Sequence, residues 1–168
     1  MTQSKSSLPA TETTDGWEAY RGVVMPWHCD AMGHMSVQHQ MPLLDGAAYH
    51  LLGRLGPIVD HADGRRLGWA DVNHSIDYQH ELVSGDLVVL RSCILTLGRT
   101  SLRHRTTLSR TDGRACTILT GVTVRFDLDA RQAVSLTDEI RCLAQPLMIS
   151  DHNGAPISPA PTVIGDTI

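Results

Sequence analysis

The 168-residue sequence lacks several features that mark large classes of proteins. It has no basic excess, since its net charge at pH 7 is -4, and this balance disfavours a nucleic-acid-binding protein. Aromatic residues make up only 4% of the chain, so composition gives no sign of an aryl-stacking pocket. No apolar run approaches the length of a membrane span, and the polar N-terminus lacks the apolar segment of a secretory signal. We therefore expect a cytoplasmic protein that binds neither nucleic acid nor membrane.

The sequence also lacks paired cysteines and any recognisable metal-binding spacing. Its four cysteines contain no C-x-x-C pair and are spread along the chain, which indicates reduced and mostly buried thiols. His28, Asp30, His34 and His39 have side chains of the types that bind zinc or iron, but their spacing matches no metal motif. The sequence therefore predicts no metal site and no cofactor.

The length of the chain predicts one domain with two polar extensions. Residues 1–16 are poor in apolar side chains and indicate a disordered leader. Residues 17–143 hold the periodic segments of a folded domain. Residues 144–168 contain four prolines and few apolar anchors, so we expect a loose tail.

One long helix is predicted over residues 38–55. Apolar side chains recur there at helical spacing, and Gly56 followed by Pro57 is a strong stop signal. The apolar face of this segment is wide, which is typical of a buried helix.

Strand-like segments surround this helix in the sequence. A period-two pattern covers residues 70–78, and Asp112-Gly113 is a good hairpin turn between two later strands. The element order predicts an α+β fold in which an antiparallel sheet of about five strands encloses one buried helix. Such a sheet has free edges, and one of them often pairs with a second subunit. The predicted strands are residues 17–24, 70–78, 86–97, 100–110 and 115–126.

The loop from His28 to Ser36 carries the most informative chemistry. It concentrates titratable groups and leads directly into the predicted helix, whose first backbone N–H groups have no intrahelical partner. Such a helix end stabilises a developing oxyanion. A carboxylate a few residues upstream, such as Asp30, is then suited to attack a carbonyl or to activate water.

This loop resembles the hydroxybenzoyl-CoA thioesterase-like branch of the hotdog superfamily. The resemblance starts at D-A-M-G-H-M (30–35) and continues in SIDYQHELVSGDLVVL, GRTSLRHRTTL and GRACTILTGVTVRFD, so that it covers about residues 17–142. It implies a hotdog fold, in which a curved sheet wraps one helix. It also implies thioester hydrolysis and a homodimer or homotetramer.

The resemblance also implies roles for individual residues. Asp30 matches the catalytic carboxylate, and the backbone N–H of Val37 matches the oxyanion donor. Gly33 matches the glycine that turns the loop towards the thioester, and His34 matches a position often held by histidine. Basic residues occupy positions where the family often places groups near the CoA phosphates: Arg99, Arg103 and Arg105.

The sequence departs from the family pattern at three positions. Ser36 stands where asparagine is common and Gln40 where tyrosine is common, which indicates a differently shaped or more polar acyl pocket. Pro42 falls within the predicted helix, where proline is harmless only in about the first turn. The helix is therefore expected either to begin near Gln38 or to be kinked at Pro42.

Each candidate also has a structural interpretation. Asp30 is a residue type that commonly caps turns, and His34 is equally suited to pinning the loop through hydrogen bonds. Asn73 and His74 either belong to an ordinary strand or line the acyl pocket. Arg103 lies on a strand face that is more often solvated than phosphate-binding.

The leading hypothesis from the sequence is an acyl-CoA thioesterase that releases free acid and CoA. A second hypothesis is an enzyme that hydrolyses an acyl-carrier-protein thioester, or that dehydrates or cyclises a tethered chain. A third is a binding module that holds an acyl-CoA without turning it over.

Overall fold

The computed structural model describes residues 16–62 and 64–149, and within them one antiparallel sheet encloses one long helix. The predicted α+β hotdog architecture is confirmed. The residues of the predicted leader up to position 15, and those of the predicted tail from position 150, lie outside the described ranges. The elements are β1 (Trp17–Val23), α1 (Val37–Gly53), β2 (Asp60–Ala62), β3 (Arg65–Tyr78), β4 (Leu87–Leu97), β5 (Ser101–Arg110), β6 (Ala115–Asp127), β7 (Gln132–Ala133) and α2 (Asp138–Ala144).

The sheet has seven strands rather than the predicted five or so. Their order is β1-β4-β5-β6-β3-β2, and β7 pairs with β6. Five long strands correspond to the five predicted from the sequence. The other two contain three and two residues, which is too short for a period-two pattern to be readable.

The helix α1 packs its apolar stripe against the inner face of the sheet. Leu44, Ala47 and Leu51 are essentially fully buried, because they recur at helical spacing and face β1, β4 and β5. Leu44 and Ala47 share a core cluster with Leu90 of β4 and Leu108 of β5. None of the helices in residues 16–62 and 64–149 is both long and apolar enough to cross a membrane.

Pro42 lies inside α1 and does not end it. The helix begins at Val37, one residue earlier than predicted, so that Pro42 is its sixth residue. The proline is exposed and removes one backbone donor from the solvent side of the second turn. The helix continues to Gly53.

The strand β3 leaves one edge of the sheet open. On one side it pairs with β6 from Leu67 to Tyr78. On its other side, β2 pairs only with Arg65 to Leu67. In the described part of the chain, no strand pairs with that other side of residues 68–78. Val72 and Tyr78 on this stretch are exposed, which is unusual for large apolar side chains on a long strand.

The folded part of the chain extends beyond the predicted start of the tail at residue 144. Ala144 and Leu147 are buried with Leu51 and Ile94 in the second core cluster. Met148 forms a parallel bridge with Ile94. Ala144, Leu147 and Met148 of this segment pack against the core cluster, and a count of apolar residues does not reveal this.

Candidate active site

The loop that carries Asp30 is closed by its own backbone hydrogen bonds. The amide of Ser36 donates to the carbonyl of His28 at 2.9 Å, and the amide of Asp30 donates to the carbonyl of His34 at 2.9 Å. Between these pairs, Cys29 and Met35 form an isolated antiparallel bridge. Asp30 therefore lies two residues, or about 7 Å, along a hairpin from the residue that precedes the helix.

Asp30 begins the tight turn at the tip of this hairpin. The amide of Gly33 donates to the Asp30 carbonyl at 3.0 Å, and Gly33 has a φ of +84°. Among the residues that the structure describes, no heavy atom lies within 4 Å of the position that a Cβ on Gly33 would occupy. Backbone conformation rather than space therefore explains the glycine.

The carboxylate of Asp30 uses one oxygen to hold the turn. Its Oδ1 accepts hydrogen bonds from the amide of Met32 at 2.9 Å and, more weakly, from the amide of His34 at 3.4 Å. Asp30 is exposed, and its Oδ2 has no hydrogen-bond donor within the described residues. The turn-capping interpretation of Asp30 is thus correct for one oxygen, and the other oxygen is available to a substrate or a water molecule.

The first turn of α1 provides free backbone donors next to this hairpin. The carbonyl of Ser36 accepts from the amides of His39 and Gln40, so the helical pattern begins with those residues. The amides of Val37 and Gln38 have no acceptor in residues 16–62 and 64–149, and Val37 is half exposed. The buried Oγ of Ser36 likewise has no described partner and does not cap the helix. This is a helix end whose N–H groups can bind an anion.

His34 links the hairpin to the segment before β4. Its Nε2 lies 3.2 Å from an Oε2 of Glu81, and its backbone bridges with Val83. Next to it, the amide of Met35 donates to the carbonyl of Leu82 at 2.7 Å. Because Glu81 is largely exposed, its ion pair with His34 contributes little stability, and the backbone bonds hold the loop. These contacts agree with the interpretation of His34 as a residue that fixes the loop in place.

Gln40 lies inside the protein and clamps the helix start to the sheet. Its side-chain amide donates to the carbonyl of Met35 at 2.8 Å, and its Oε1 accepts from the hydroxyl of Thr117 on β6 at 2.6 Å. Gln40 is 7% exposed. Its two polar groups therefore position the loop rather than line an open pocket. Thr117, which completes this clamp, has no sequence signal that sets it apart from the other threonines of the strands.

The candidate residues on the strands are divided between the two faces of the sheet. His104 lies on the inner face with Leu102 and Leu108. His74 lies on the same face, on the other side of Gly121, with which both histidines are paired. Arg103 precedes His104 and Asn73 precedes His74, so both point to the opposite face. Asn73 and Arg103 are each paired with Val122.

Arg99 lies far from Asp30 within one chain. It sits in the turn between β4 and β5, whereas the Asp30 hairpin adjoins the start of β4. The 11 residues of β4 separate them, which corresponds to roughly 30 Å along the strand. The guanidinium of Arg99 lies 3.4 Å from the hydroxyl of Ser135. Arg105 lies on β5, on the same face as Arg103.

His104 is a fully buried histidine that the sequence did not single out. Burial lowers its pKa from 6.5 to about 4, an effect that nearby His74 reinforces and that Asp71 opposes. Its imidazole is therefore neutral near pH 7. Neither ring nitrogen has a hydrogen-bond partner among the described residues.

Exposed apolar side chains surround the Asp30 hairpin. Trp27 is 66% exposed, Met32 is 75% exposed and Val37 is 50% exposed, and all three lie within eleven residues of chain. An apolar surface of this kind typically marks a binding site for a ligand or another subunit. It lies beside the carboxylate and the free helix amides.

A groove of about 630 Å³ lies at the other end of β1. Its described lining residues include no carboxylate and no imidazole, the groups that most often act as general bases. The Asp30 hairpin is therefore the better candidate for an active site. The groove is lined by Gly16, Trp17, Arg54, Cys142, Leu143, Pro146, Leu147, Met148 and Ile149.

Comparison with solved structures supports the same fold. The chain is similar to a Staphylococcus aureus protein solved in complex with CoA, at 14% identity and a TM-score of 0.70, covering 91% of this chain and 95% of that one. It is also similar to a predicted thioesterase from Bacillus stearothermophilus, at 19% identity and a TM-score of 0.65, covering 78% of this chain and 97% of that one. Comparison with curated proteins gives no significant match.

The family comparison matches the part of the chain that holds the hairpin, the helix and the long strands. The family model of the thioesterase-like superfamily matches residues 24–142, which is well over half of the sequence. This stretch includes Asp30, the start of α1 and all of β3 to β6. The chain belongs to the thioesterase-like superfamily.

Proposed function

We propose that this protein is an acyl-CoA thioesterase that hydrolyses a thioester to a free acid and CoA. The observation that carries the proposal is an exposed carboxylate oxygen on Asp30 in the hairpin that leads directly into the free amides of Val37 and Gln38 at the start of α1. A nucleophile or base and an oxyanion-binding group are the two elements that acyl transfer requires.

The amides at the start of α1 bind the thioester carbonyl oxygen in this proposal. As the carbonyl carbon is attacked, its oxygen gains negative charge, and the N–H of Val37 donates to it. The partial positive charge of the helix N-terminus adds to this stabilisation. Catalysis follows because these donors interact more strongly with the oxyanion than with the neutral carbonyl.

Asp30 supplies the second element by one of two routes. In the first, Oδ2 bonds to the acyl carbon and the C–S bond breaks. CoA leaves as a thiol after protonation, and water then hydrolyses the acyl-aspartyl anhydride. In the second, Asp30 accepts a proton from water as the water oxygen attacks the acyl carbon. The C–S bond then breaks, and the proton passes from Asp30 to the departing CoA sulfur. Detection of an acylated protein by intact mass spectrometry under single-turnover conditions supports the first route.

Gln40 and His34 act as positioning residues in this proposal. Gln40 fixes the carbonyl of Met35, which lies two residues before the oxyanion-binding amide, to the sheet. His34 closes the turn through its carbonyl and reaches Glu81 through its ring. Gly33 supplies the backbone conformation of the turn. Ser36 precedes the helix with a buried and unpaired hydroxyl among the described residues, and this hydroxyl is proposed to contact the substrate.

CoA as the thiol component is supported by the similar Staphylococcus aureus protein, which was solved in complex with CoA. The residues that would hold the CoA phosphates are proposed to be Arg99 and Arg103. Because the whole length of β4 separates Arg99 from the Asp30 hairpin in the same chain, this assignment requires a second subunit that brings its own arginine to the site.

A homodimer is supported by the open edge of β3. Residues 68–78 present backbone donors and acceptors on a long exposed edge, with Val72 and Tyr78 exposed beside them. Edge-to-edge pairing of two copies would cover this surface. Asn73 and His74 would then lie close to the subunit boundary, where they are proposed to contact the acyl group. Sedimentation equilibrium tests this, with a monomer at micromolar concentration contradicting it.

A thiol-release assay tests the proposed reaction. Short, branched, aromatic and cationic acyl-CoAs are compared with the same acyl groups on an acyl carrier protein. Hydrolysis of at least one acyl-CoA, with a smaller kcat/KM on the carrier protein, is the expected result. Turnover of carrier-protein substrates alone would show that the substrates are acyl-carrier-protein thioesters and not acyl-CoAs. Tight binding of acyl-CoA without thiol release would contradict the enzymatic proposal and favour a binding module.

A further inference from the structure

We propose that Asp71, His74 and His104 form a binding site for a divalent transition metal ion, with Zn²⁺ as the best-fitting class. One oxygen or nitrogen atom from each residue lies within 4.8 Å of the atoms from the other two. None of the three residues belongs to the Asp30 hairpin. His74 is also proposed above to contact the acyl group, but the inference rests on the geometry of the cluster and does not depend on thioester hydrolysis.

The three side chains converge because of two irregularities in the sheet. His74 on β3 and His104 on β5 are both paired with Gly121 on the intervening β6. A Cβ on Gly121 would overlap Nε2 of His104 and would lie 3.0 Å from Cδ2 of His74. The absence of a side chain at position 121 is therefore what lets the two imidazole rings approach one another.

The second irregularity brings the carboxylate to the same face. Residues 71 and 74 are three apart, so in a regular strand their side chains would point to opposite faces. A β-bulge between Asp71 and Asn73 adds one residue and shifts this alternation. Oδ2 of Asp71 consequently lies 3.8 Å from Nε2 of His74.

The buried imidazole of His104 is the strongest indication of a ligand. His104 is 0% exposed, and both of its ring nitrogens lack a hydrogen-bond partner in the described part of the chain. Leaving a buried polar group unpaired costs about 1–3 kcal/mol. An unsatisfied buried group in a native protein therefore requires an explanation, and a metal ion bound to one nitrogen provides one.

The carboxylate is already oriented by a neighbouring hydroxyl. Thr123 on β6 donates a 2.5 Å hydrogen bond to Oδ1 of Asp71, which leaves Oδ2 on the side of His74. Hydrogen-bonded support of this kind is typical of metal-ligating carboxylates. A purely structural ion pair between Asp71 and His74 explains neither this arrangement nor the unpaired His104.

The ligand set and its accessibility fit a zinc site with an open position. Two imidazoles and one carboxylate are the protein ligands of a well-known class of three-ligand zinc site. Ligand atoms around tetrahedral zinc lie about 3.4 Å apart, so the partly exposed side chains of Asp71 and His74 need to move by only about 1 Å. Three protein ligands leave a fourth position for water, which separates this site from closed structural zinc sites.

Zinc titration of the full-length protein tests the site. The protein is dialysed against a chelator and then titrated with ZnCl₂ by calorimetry, with a chromophoric chelator as competitor. One equivalent per chain is expected to bind, and Co²⁺ is expected to give visible d–d absorption of low-symmetry coordination. Because His104 is buried, Asp71→Asn and His74→Ala serve as the test variants. Asn at position 71 retains an oxygen that can accept from Thr123.

Loss of an outer-shell partner typically weakens metal binding by about 10- to 100-fold. Each test variant removes a direct ligand, so it is expected to weaken zinc binding by more than that. Thr123→Val is expected to weaken it within that range. Asp77→Asn, on the same exposed strand, and His80→Ala, just beyond it, are matched controls that should bind as the unmodified protein does. Equal zinc stoichiometry and affinity in the unmodified protein and in an Asp71→Asn/His74→Ala double variant would overturn the proposal.

Discussion

Gln40 and Thr117 join the start of the buried helix to the sheet through a 2.6 Å hydrogen bond between the threonine hydroxyl and the glutamine Oε1. The other end of the same amide holds the carbonyl of Met35. A single buried side chain therefore links the segment before the first helical amides to the sheet. In the proposed mechanism these amides bind the oxyanion, so this clamp connects the core packing to the reaction.

Gln40→Leu is predicted to destabilise the protein and to slow hydrolysis. The substitution leaves the hydroxyl of Thr117 and the carbonyl of Met35 buried without partners, at a cost of about 1–3 kcal/mol. Urea denaturation measures this change. Gln38→Leu, on the exposed side of the same turn, is the control and should stay within about 0.5 kcal/mol of the unmodified protein. Equal stabilities of the two variants would show that the clamp is unimportant.

Gly33→Ala and Gly46→Ala are predicted to change stability in opposite directions. At both glycines, no heavy atom of residues 16–62 and 64–149 lies within 4 Å of the position that a Cβ would occupy, so crowding by these residues is the same for both. Gly33 has a φ of +84°, where alanine costs about 1–2 kcal/mol, whereas Gly46 is helical, and alanine there contributes about 0.5–1 kcal/mol. Thermal denaturation should give a lower Tm for the first variant and a higher Tm for the second. A Gly33→Ala variant with an unchanged Tm contradicts the turn geometry.

Gly121→Ala is predicted to destabilise the protein by about 1–3 kcal/mol through overpacking. The new methyl group would overlap Nε2 of the buried His104, so a ring or a strand must move. Removing the ring in a Gly121→Ala/His104→Ala double variant should recover part of the loss relative to the sum of the single variants. A double-mutant cycle by denaturant unfolding measures this coupling, and additive effects would contradict the contact.

The stability of the chelator-treated protein is predicted to fall as the pH decreases from 6.5 to 4. The pKa of His104 is about 4 in the folded protein, whereas the ordinary histidine pKa of 6.5 applies in the unfolded chain. Between these values the unfolded chain binds the extra proton, so the stabilising contribution is present above pH 6.5 and is lost as the pH falls. The shift corresponds to about 3 kcal/mol at most. Urea unfolding at a series of pH values measures it, and His104→Leu should flatten the dependence in this window.

Much of the fold was predictable because it depends on periodicity. The helical spacing from Met41 to Leu55 reports burial, and the alternation in residues 70–78 reports an extended strand. Both elements occur where predicted, although Val72 and Tyr78 of the strand are exposed. The two shortest strands, Asp60–Ala62 and Gln132–Ala133, were not predictable, because they form only where a longer strand already offers an edge.

The candidate site was only partly predictable, for a different physical reason. Asp30 and Val37 are close in sequence, so local motif and capping rules relate them. The contacts of Gln40 with Thr117 and of Asp71 with His104 cross 77 and 33 residues of chain, respectively. The second contact also depends on a bulge that reverses the face on which Asp71 lies. Neither the bulge nor the strand register can be read from the alternation of residue types.

The turnover of Asp30→Asn on an acyl-CoA substrate is the most direct test of the proposed mechanism. Asparagine keeps an Oδ1 that can accept from the amide of Met32, so the hairpin should fold as before. Asp112→Asn is a matched control, because Asp112 caps a similar turn through the amide of Arg114 and lies in the hairpin loop between β5 and β6. The account predicts that kcat falls by about 10²- to 10⁴-fold in Asp30→Asn alone, with an unchanged Tm. Near-normal turnover by a folded Asp30→Asn protein would contradict it.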